Sequence, residues 1–338
     1  MITEVRRLRL VDLLANRGLA NWFPRGWSST TFCLSVATLT ALVMSEKNTL
    51  LRLSLLTGVL LSGCWLESQS NAHSSAYLEA FPAHHVIANL YFVGSKSLGI
   101  YLVTTPKGHI LINAGLEASI PAIQKSVESM GFRFSDIKIL LISHAHWDHN
   151  AGAAAIKKLT HAKYMVMDAD VPVVESGGRK DFAYGGEPDT FYPPAKVDRV
   201  LHDGDTVELG GTVLTAHLTP GHTKGCTTWT MKVQNGGKTY DVVIVGSPNV
   251  NPGYKLVNNP AYPEIASDYE KGFQVLRSLH CDVFLGAHGN YYDMEGKYAR
   301  LKQGAENPFI DPEGYENYVG EREQAFRAEL ATQKAVAK

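Results

Sequence analysis

From about residue 86 the chain alternates short apolar runs with turn signals. Runs at 86–93, 99–104 and 109–113 are rich in Val, Ile and Leu, with Pro106-Lys107-Gly108 between the last two. They predict strands. Over 119–130 the spacing changes to Ile120, Ile123, Val127 and Met130, one face of a helix, and Gly131 stops it. A run at 137–142 that is apolar except for Lys138 predicts a buried strand, 150–159 the helix after it, and 163–167 another strand. Strands are expected again at 197–202, 205–209, 212–218, 227–233 and 240–245, then a helix over 265–279 and a last core strand at 282–285. The tail from Asp311 reads as a charged helix against the outside. Two runs of strands, similar in size and each with later helices, fit an α/β fold: two mixed sheets face to face with helices on the outer faces, an αββα sandwich. The pattern alone also allows other α/β layouts.

Residues 1–80 read differently, as a targeting segment, which leaves 81–338 as a single domain. Arg6, Arg7 and Arg9 come early, and apolar runs follow at 31–44 and 50–61. Both are shorter than the roughly 20 residues that span a bilayer, and each has the length of a signal-peptide core. The second ends Leu61-Ser62-Gly63-Cys64, similar to a bacterial lipobox whose Cys is lipidated. On that reading translation starts at Met44; the alternative is a plain secretory signal cleaved before Tyr77. Both place the protein in the periplasm, anchored to the membrane only if Cys64 carries lipid, which mass spectrometry of membrane-extracted protein distinguishes. Residues 65–80 read as a flexible tether.

Composition adds limits. Lys+Arg is 32 against Asp+Glu 33, so there is no electrostatic reason to expect nucleic acid as a partner, and a monomer is expected. Cys226 and Cys281 are too few for a disulfide framework; they either pair or stand apart as buried thiols. Thirteen His stand out, and only their spacing separates ligands from the rest.

One segment carries chemistry. His144-Ala145-His146-Trp147-Asp148-His149 follows the buried strand at 137–142. Imidazole and carboxylate are suitable zinc ligands. On extended backbone His144 and His146 point the same way and can share one metal; after the turn Asp148 and His149 can face a second. A zinc needs further ligands from elsewhere. His222, in Thr219-Pro220-Gly221-His222-Thr223, and His288, in Gly286-Ala287-His288-Gly289, both follow an apolar strand beside Gly. His217 lies inside a strand and is a weaker candidate; His73, His84, His85, His109, His161, His202 and His280 read as structural or surface.

HAHWDH, TPGHT and GAHG together resemble the metallo-β-lactamase superfamily over about residues 86–310. The resemblance implies the αββα fold and zinc hydrolase chemistry. Many non-lactamase hydrolases of this kind have an Asp bridging the metals after the strand that follows the third His. Here that strand ends Val245-Gly246-Ser247. Asn251-Pro252-Gly253-Tyr254-Lys255-Leu256, Leu111-Ile112-Asn113 and the stretches 211–229 and 261–269 look like the third subclass of class B β-lactamases. That subclass implies two zinc ions, one held by His144, His146 and His222 and the other by Asp148, His149 and His288. The first two subclasses use a Cys where Ser247 stands. Many third-subclass members pair the Cys equivalent to Cys281 with a later one; none follows here, and Tyr315 is expected in the partner position.

The implied reaction is attack of a zinc-activated hydroxide on a β-lactam carbonyl. Asp148 would orient the hydroxide and Tyr254 would help stabilise the oxyanion. Ser247, Asn249 and Asn251 are candidates for binding the substrate carboxylate, as is Lys224 with less support. Trp147 either walls the site or packs beneath it. Residues 171–185, with Gly177-Gly178 and Gly185-Gly186, read as a flap. The rival readings are a lactonase or thioesterase of the same fold, and a zinc-binding protein without activity.

Overall fold

The computed structural model describes residues 76–337. The Arg-rich start, both apolar runs, the Met44 start and the lipobox at Cys64 lie outside the described residues. Among those described, no helix is long and apolar enough to cross a membrane.

Seven strands form the first sheet: β1 (His84–Ile87), β2 (Leu90–Phe92), β3 (Tyr101–Thr105), β4 (Gly108–Ile112), β5 (Ile137–Leu141), β6 (Lys163–Met167) and β7 (Arg199–Leu201). They lie in sequence order, antiparallel from β1 to β4 and parallel from β4 to β7. The second sheet has β8 (Thr206–Leu209), β9 (Thr212–Leu218), β10 (Thr227–Asn235), β11 (Lys238–Val245) and β12 (Val283–Gly286), ordered β12-β11-β10-β9-β8. Only β11 and β12 run parallel in it.

Side-chain alternation makes the layers. Ile110 and Ile112, Ile139 and Leu141, Met165 and Met167 point into the core shared with Leu214, Trp229, Met231 and Val243 of the second sheet. Their neighbours Leu111, Leu140, Tyr164 and Val166 point the other way. There they meet Ile120, Ile123 and Val127 of α1 (Ile120–Ser129) and Ile156 of α3 (Ala153–Thr160). The second sheet is covered by α5 (Ile265–Ser278) and α7 (Pro312–Val336), which pack on β9, β12 and each other. The result is the αββα sandwich.

Several local expectations change. The strand expected over 86–93 is two strands, β1 and β2, because the chain turns at Ala88, whose φ is +48°. A short helix α2 (Trp147–Asn150) precedes α3 and carries Asp148 and His149. Two more helices, α4 (Val171–Glu175) and α6 (Met294–Lys302), have no counterpart in the sequence reading. The tail helix α7 does more than lie outside: it buries Tyr315, Val319, Phe326 and Leu330. Residues 76–80, assigned to the tether, already pack with the domain, since Ala80 bridges Ser95 and the Lys96 amide donates to Glu79 O at 2.9 Å. Cys226 and Cys281 are both free and buried, and Tyr315 sits in the same core as Cys281, its hydroxyl donating to Leu276 O at 2.6 Å.

His84 is a structural histidine, buried between the rings of Phe92 and Phe309 at 5.0 and 5.5 Å. Its Nδ1 reaches Pro82 O at 2.9 Å, and its buried Nε2 has no partner. Burial lowers its pKa to about 4. The folded value lies below the unfolded one, so between about pH 6.5 and 4 the unfolded chain takes the proton more readily and stability falls as pH drops. This residue should remove about 2 kcal/mol between pH 7 and pH 5. His84→Phe keeps the stack and should flatten the fall by that amount, read from urea unfolding at the two pH values.

Candidate metal centre

The site lies at the carboxyl ends of β5, β9, β11 and β12, where the two sheets meet. Each strand end delivers a loop. β5 runs into His144 and His146 and then into α2, β9 into His222, β11 into Ser247 and β12 into His288. Cross-links fix these loops. Asn113 Nδ2 donates to Gly99 O at 2.8 Å while its Oδ1 accepts the Ser143 amide at 2.7 Å. Trp229 Nε1 donates to Ile142 O across the sheets at 3.0 Å. Gly221, at φ +124°, has to be glycine because a Cβ there would stand 2.5 Å from the Tyr269 ring.

The structure brings all six candidate ligands together. His144, His146 and His222 form one group, with a ligand atom of each within 4.8 Å of the others. Asp148 and His149 form a second group, to which His144 also belongs, so His144 lies between the two. His288 joins the second group, its Nε2 at 3.0 Å from His149 Nε2 and 3.5 Å from Asp148 Oδ2. His217 is elsewhere, bonded to Thr230 Oγ1 at 2.8 Å.

The electrostatics fit a cation. Both ring nitrogens of His144 and Nδ1 of His149 are buried with no hydrogen-bond partner. Burial, together with the neighbouring imidazoles, lowers the pKa of His146 to about 4, of His222 and His288 to about 3, and that of His144 well below its ordinary value. These rings are therefore neutral donors at pH 7. Burial opposes ionisation of Asp148, but the imidazoles of His149, His288 and His146 outweigh it and hold the carboxyl below its usual range. Converging neutral nitrogens and one carboxylate, buried and short of protons to share, make a good metal cradle and a poor hydrogen-bond network.

Outer contacts orient the ligands. His222 Nδ1 donates to Asn249 O at 2.8 Å, which leaves Nε2 for the cluster. Sequence reasoning missed Asp170. It is buried and accepts hydrogen bonds from the Ala145 amide at 2.9 Å, Thr223 Oγ1 at 2.8 Å and the Gly225 amide at 2.8 Å. It thus ties the loop of His144 and His146 to that of His222. Burial raises its carboxyl to about 7 despite those three bonds. Asp181 was missed too. Its Oδ2 faces His146 Nε2 at 3.6 Å, and burial raises its pKa. Nothing in the sequence near either Asp marks it, because the partners lie on distant loops.

The remaining candidates form the rim. Tyr254 hydroxyl donates to His222 O at 2.9 Å and lies 3.3 Å from His146 Nε2. Ser247 Oγ pairs with Tyr291 hydroxyl at 3.0 Å, Asn249 Nδ2 donates to Tyr318 hydroxyl at 3.4 Å and Asn251 Nδ2 to Tyr184 hydroxyl at 2.9 Å. Lys224 turns away, its Nζ donating to Ala261 O at 2.9 Å over the Tyr262 ring. Cys226, with its thiol pushed up to about 12 by burial, donates to Ser247 O and is no ligand. The stretch read as a flap holds α4 and then lays Tyr184 5.1 Å from the His146 ring and 5.5 Å from Trp147. Trp147 thereby forms part of the wall.

Comparison with known proteins gives the same picture. The family described as the metallo-beta-lactamase superfamily matches residues 100–236. The native FEZ-1 metallo-beta-lactamase from Legionella gormanii is 55% identical, with a TM-score of 0.75 over 76% of this chain and 98% of that one. BJP-1, a subclass B3 metallo-beta-lactamase of Bradyrhizobium japonicum, is 36% identical, with a TM-score of 0.73 over 78% of this chain and 98% of that one. Among curated proteins, a probable metallo-hydrolase of Burkholderia pseudomallei is 30% identical over 33% of this chain and 36% of its own length. The lactamase-like protein adaB of Aspergillus niger is 28% identical over 60% of this chain and 52% of its own. The chain thus spans about half or less of these two curated relatives.

Proposed function

Since this chain belongs to the metallo-β-lactamase superfamily and is similar to class B3 enzymes of it, we propose that it is a zinc-dependent β-lactamase. The observation that carries this reading is the complete six-donor cluster in a chain 55% identical along nearly the whole of a metallo-β-lactamase. In this reading His144, His146 and His222 hold one zinc ion, and Asp148, His149 and His288 hold a second. Zinc ions bound there supply Lewis acidity and bring the pKa of water toward neutrality.

The chain's own groups complete the chemistry. Asp148, ionised inside the cluster, orients the attacking water. The Tyr254 hydroxyl, whose pKa burial holds well above 10, stays protonated and donates to the oxyanion in place of its bond to His222 O. Ser247, Asn249 and Asn251 present hydroxyl and amide donors along the rim, where they receive the substrate's carboxylate. Tyr184, Trp147 and Phe182 exclude water from one side. The segment before the domain directs export to the periplasm, where such antibiotics arrive.

Zinc dependence is the test. Protein stripped with a chelator should lose carbapenem hydrolysis and regain it as zinc is added, the rise ending at two equivalents per chain. Full activity in the stripped protein would refute the proposal.

A further inference from the structure

Beside the metal centre a cavity opens, about 550 Å3 in volume. Its lining includes Asn249, Asn251 and Tyr291 from the rim, together with Tyr318 and Arg322 of α7. The two sites are joined through stacked rings. Tyr291 stands 5.1 Å from the His288 ring and stacks on Tyr318 at 5.0 Å, and the Arg322 guanidinium lies over Tyr318 at 5.9 Å. Tyr318 and Arg322 are one helical turn apart, so one face of α7 supplies both.

The charges of this cavity are unevenly satisfied. Asp293 pairs with Arg300 at 3.2 Å and Asp311 with Lys297 at 2.7 Å. Arg322, whose side chain is 36% exposed, has as its nearest carboxylate the exposed Glu321 of the same cavity wall, at 3.8 Å from Nη2, an ion pair without a hydrogen bond. Arg322 Nε is buried with no partner. A buried unpaired guanidinium N–H is unfavourable, and the guanidinium fork matches a carboxylate in shape and charge. Tyr291 and Tyr318 add neutral polar groups to the same cavity lining.

We propose that this cavity is an anion subsite, with Arg322 as its cation, for a second carboxylate carried on the side chain of a β-lactam. The assignment rests on the β-lactamase reading. The carboxylate on the fused ring, next to the reacting amide, belongs at the cluster with Ser247 and Asn251. Two stacked rings stand between the cluster and Arg322, so the group that reaches it is borne on a substituent. The enzyme should therefore favour dianionic substrates over otherwise identical monoanionic ones.

Benzylpenicillin and its α-carboxy derivative differ by that one group. In Arg322→Ala the ratio of kcat/KM for the α-carboxy compound to that for benzylpenicillin should fall about ten-fold, the scale of one partly exposed charge-assisted hydrogen bond. Arg322→Lys, which keeps the charge without the fork, should recover part of the ratio. Calorimetric binding of phenylmalonate and phenylacetate to the zinc-loaded protein needs no turnover. The parent should prefer phenylmalonate, and Arg322→Ala should lose most of that preference. A kcat/KM ratio unchanged in Arg322→Ala, or a phenylmalonate preference that survives it, overturns the subsite. If the parent hydrolyses neither penicillin, the calorimetry alone decides whether Arg322 binds the second carboxylate, and the β-lactamase reading stands or falls separately on carbapenem and cephalosporin hydrolysis.

Discussion

Replacing His222 with Ala is expected to lower kcat/KM for β-lactams by about a thousand-fold or more, while far-ultraviolet circular dichroism stays that of the parent. His222 supplies one of three imidazoles of the first metal group, and its ring stands 4.6 and 4.7 Å from those of His144 and His146. Two donors cannot hold the ion in the geometry that activates water, and several kcal/mol of transition-state stabilisation go with it; about 4 kcal/mol corresponds to a thousand-fold. The fold should survive because the loop stays held by Asp170, through Thr223 and Gly225, and by Tyr254, whose hydroxyl bonds the backbone carbonyl of residue 222. Full activity in this variant would remove His222 from the ligand set.

Asp170→Ala should show the largest effect on stability, at least about 3 kcal/mol at pH 8, with zinc affinity down 10- to 100-fold. Three buried donors, the amides of Ala145 and Gly225 and the hydroxyl of Thr223, lose their acceptor together. Each unsatisfied donor costs about 1–3 kcal/mol. The affinity loss follows because Ala145 sits between two ligands and Thr223 adjoins a third, so the loops that aim them are freed. Denaturant unfolding gives the first quantity and competition with a chromophoric chelator the second. A variant as stable as the parent, with equal zinc affinity, would mean that Asp170 does not organise the site.

The contrast between these residues explains what the sequence could convey. His222 is legible because ligands at strand ends carry a local signature: an apolar strand, a glycine, then the imidazole. The cluster from His144 to His149 announces itself by spacing alone. Asp170 carries no such mark, since its role consists of bonds to two backbone amides and one hydroxyl on loops 25 to 55 residues away. The strands β4, β5 and β6 were readable as apolar runs, but the sandwich itself followed only from the resemblance that the histidine motif carries. The break between β1 and β2 was not, because it turns on Ala88 in a left-handed conformation that alanine rarely adopts. The helix α6 begins after Asp293, also left-handed, and has no apolar stripe to reveal it. Arg322 and Tyr318 gain meaning only when α7 folds back beside the rim.

The most direct measurement compares four substrates on the zinc-loaded protein: a carbapenem, a cephalosporin, an acyl-homoserine lactone and a thioester. A β-lactamase should hydrolyse at least one of the first two with kcat/KM of about 10^4 M−1 s−1 or more, lose that activity to chelator, and act on the lactone and thioester at least a hundred-fold less well. Turnover confined to the lactone or the thioester, in protein carrying its full zinc, would contradict it.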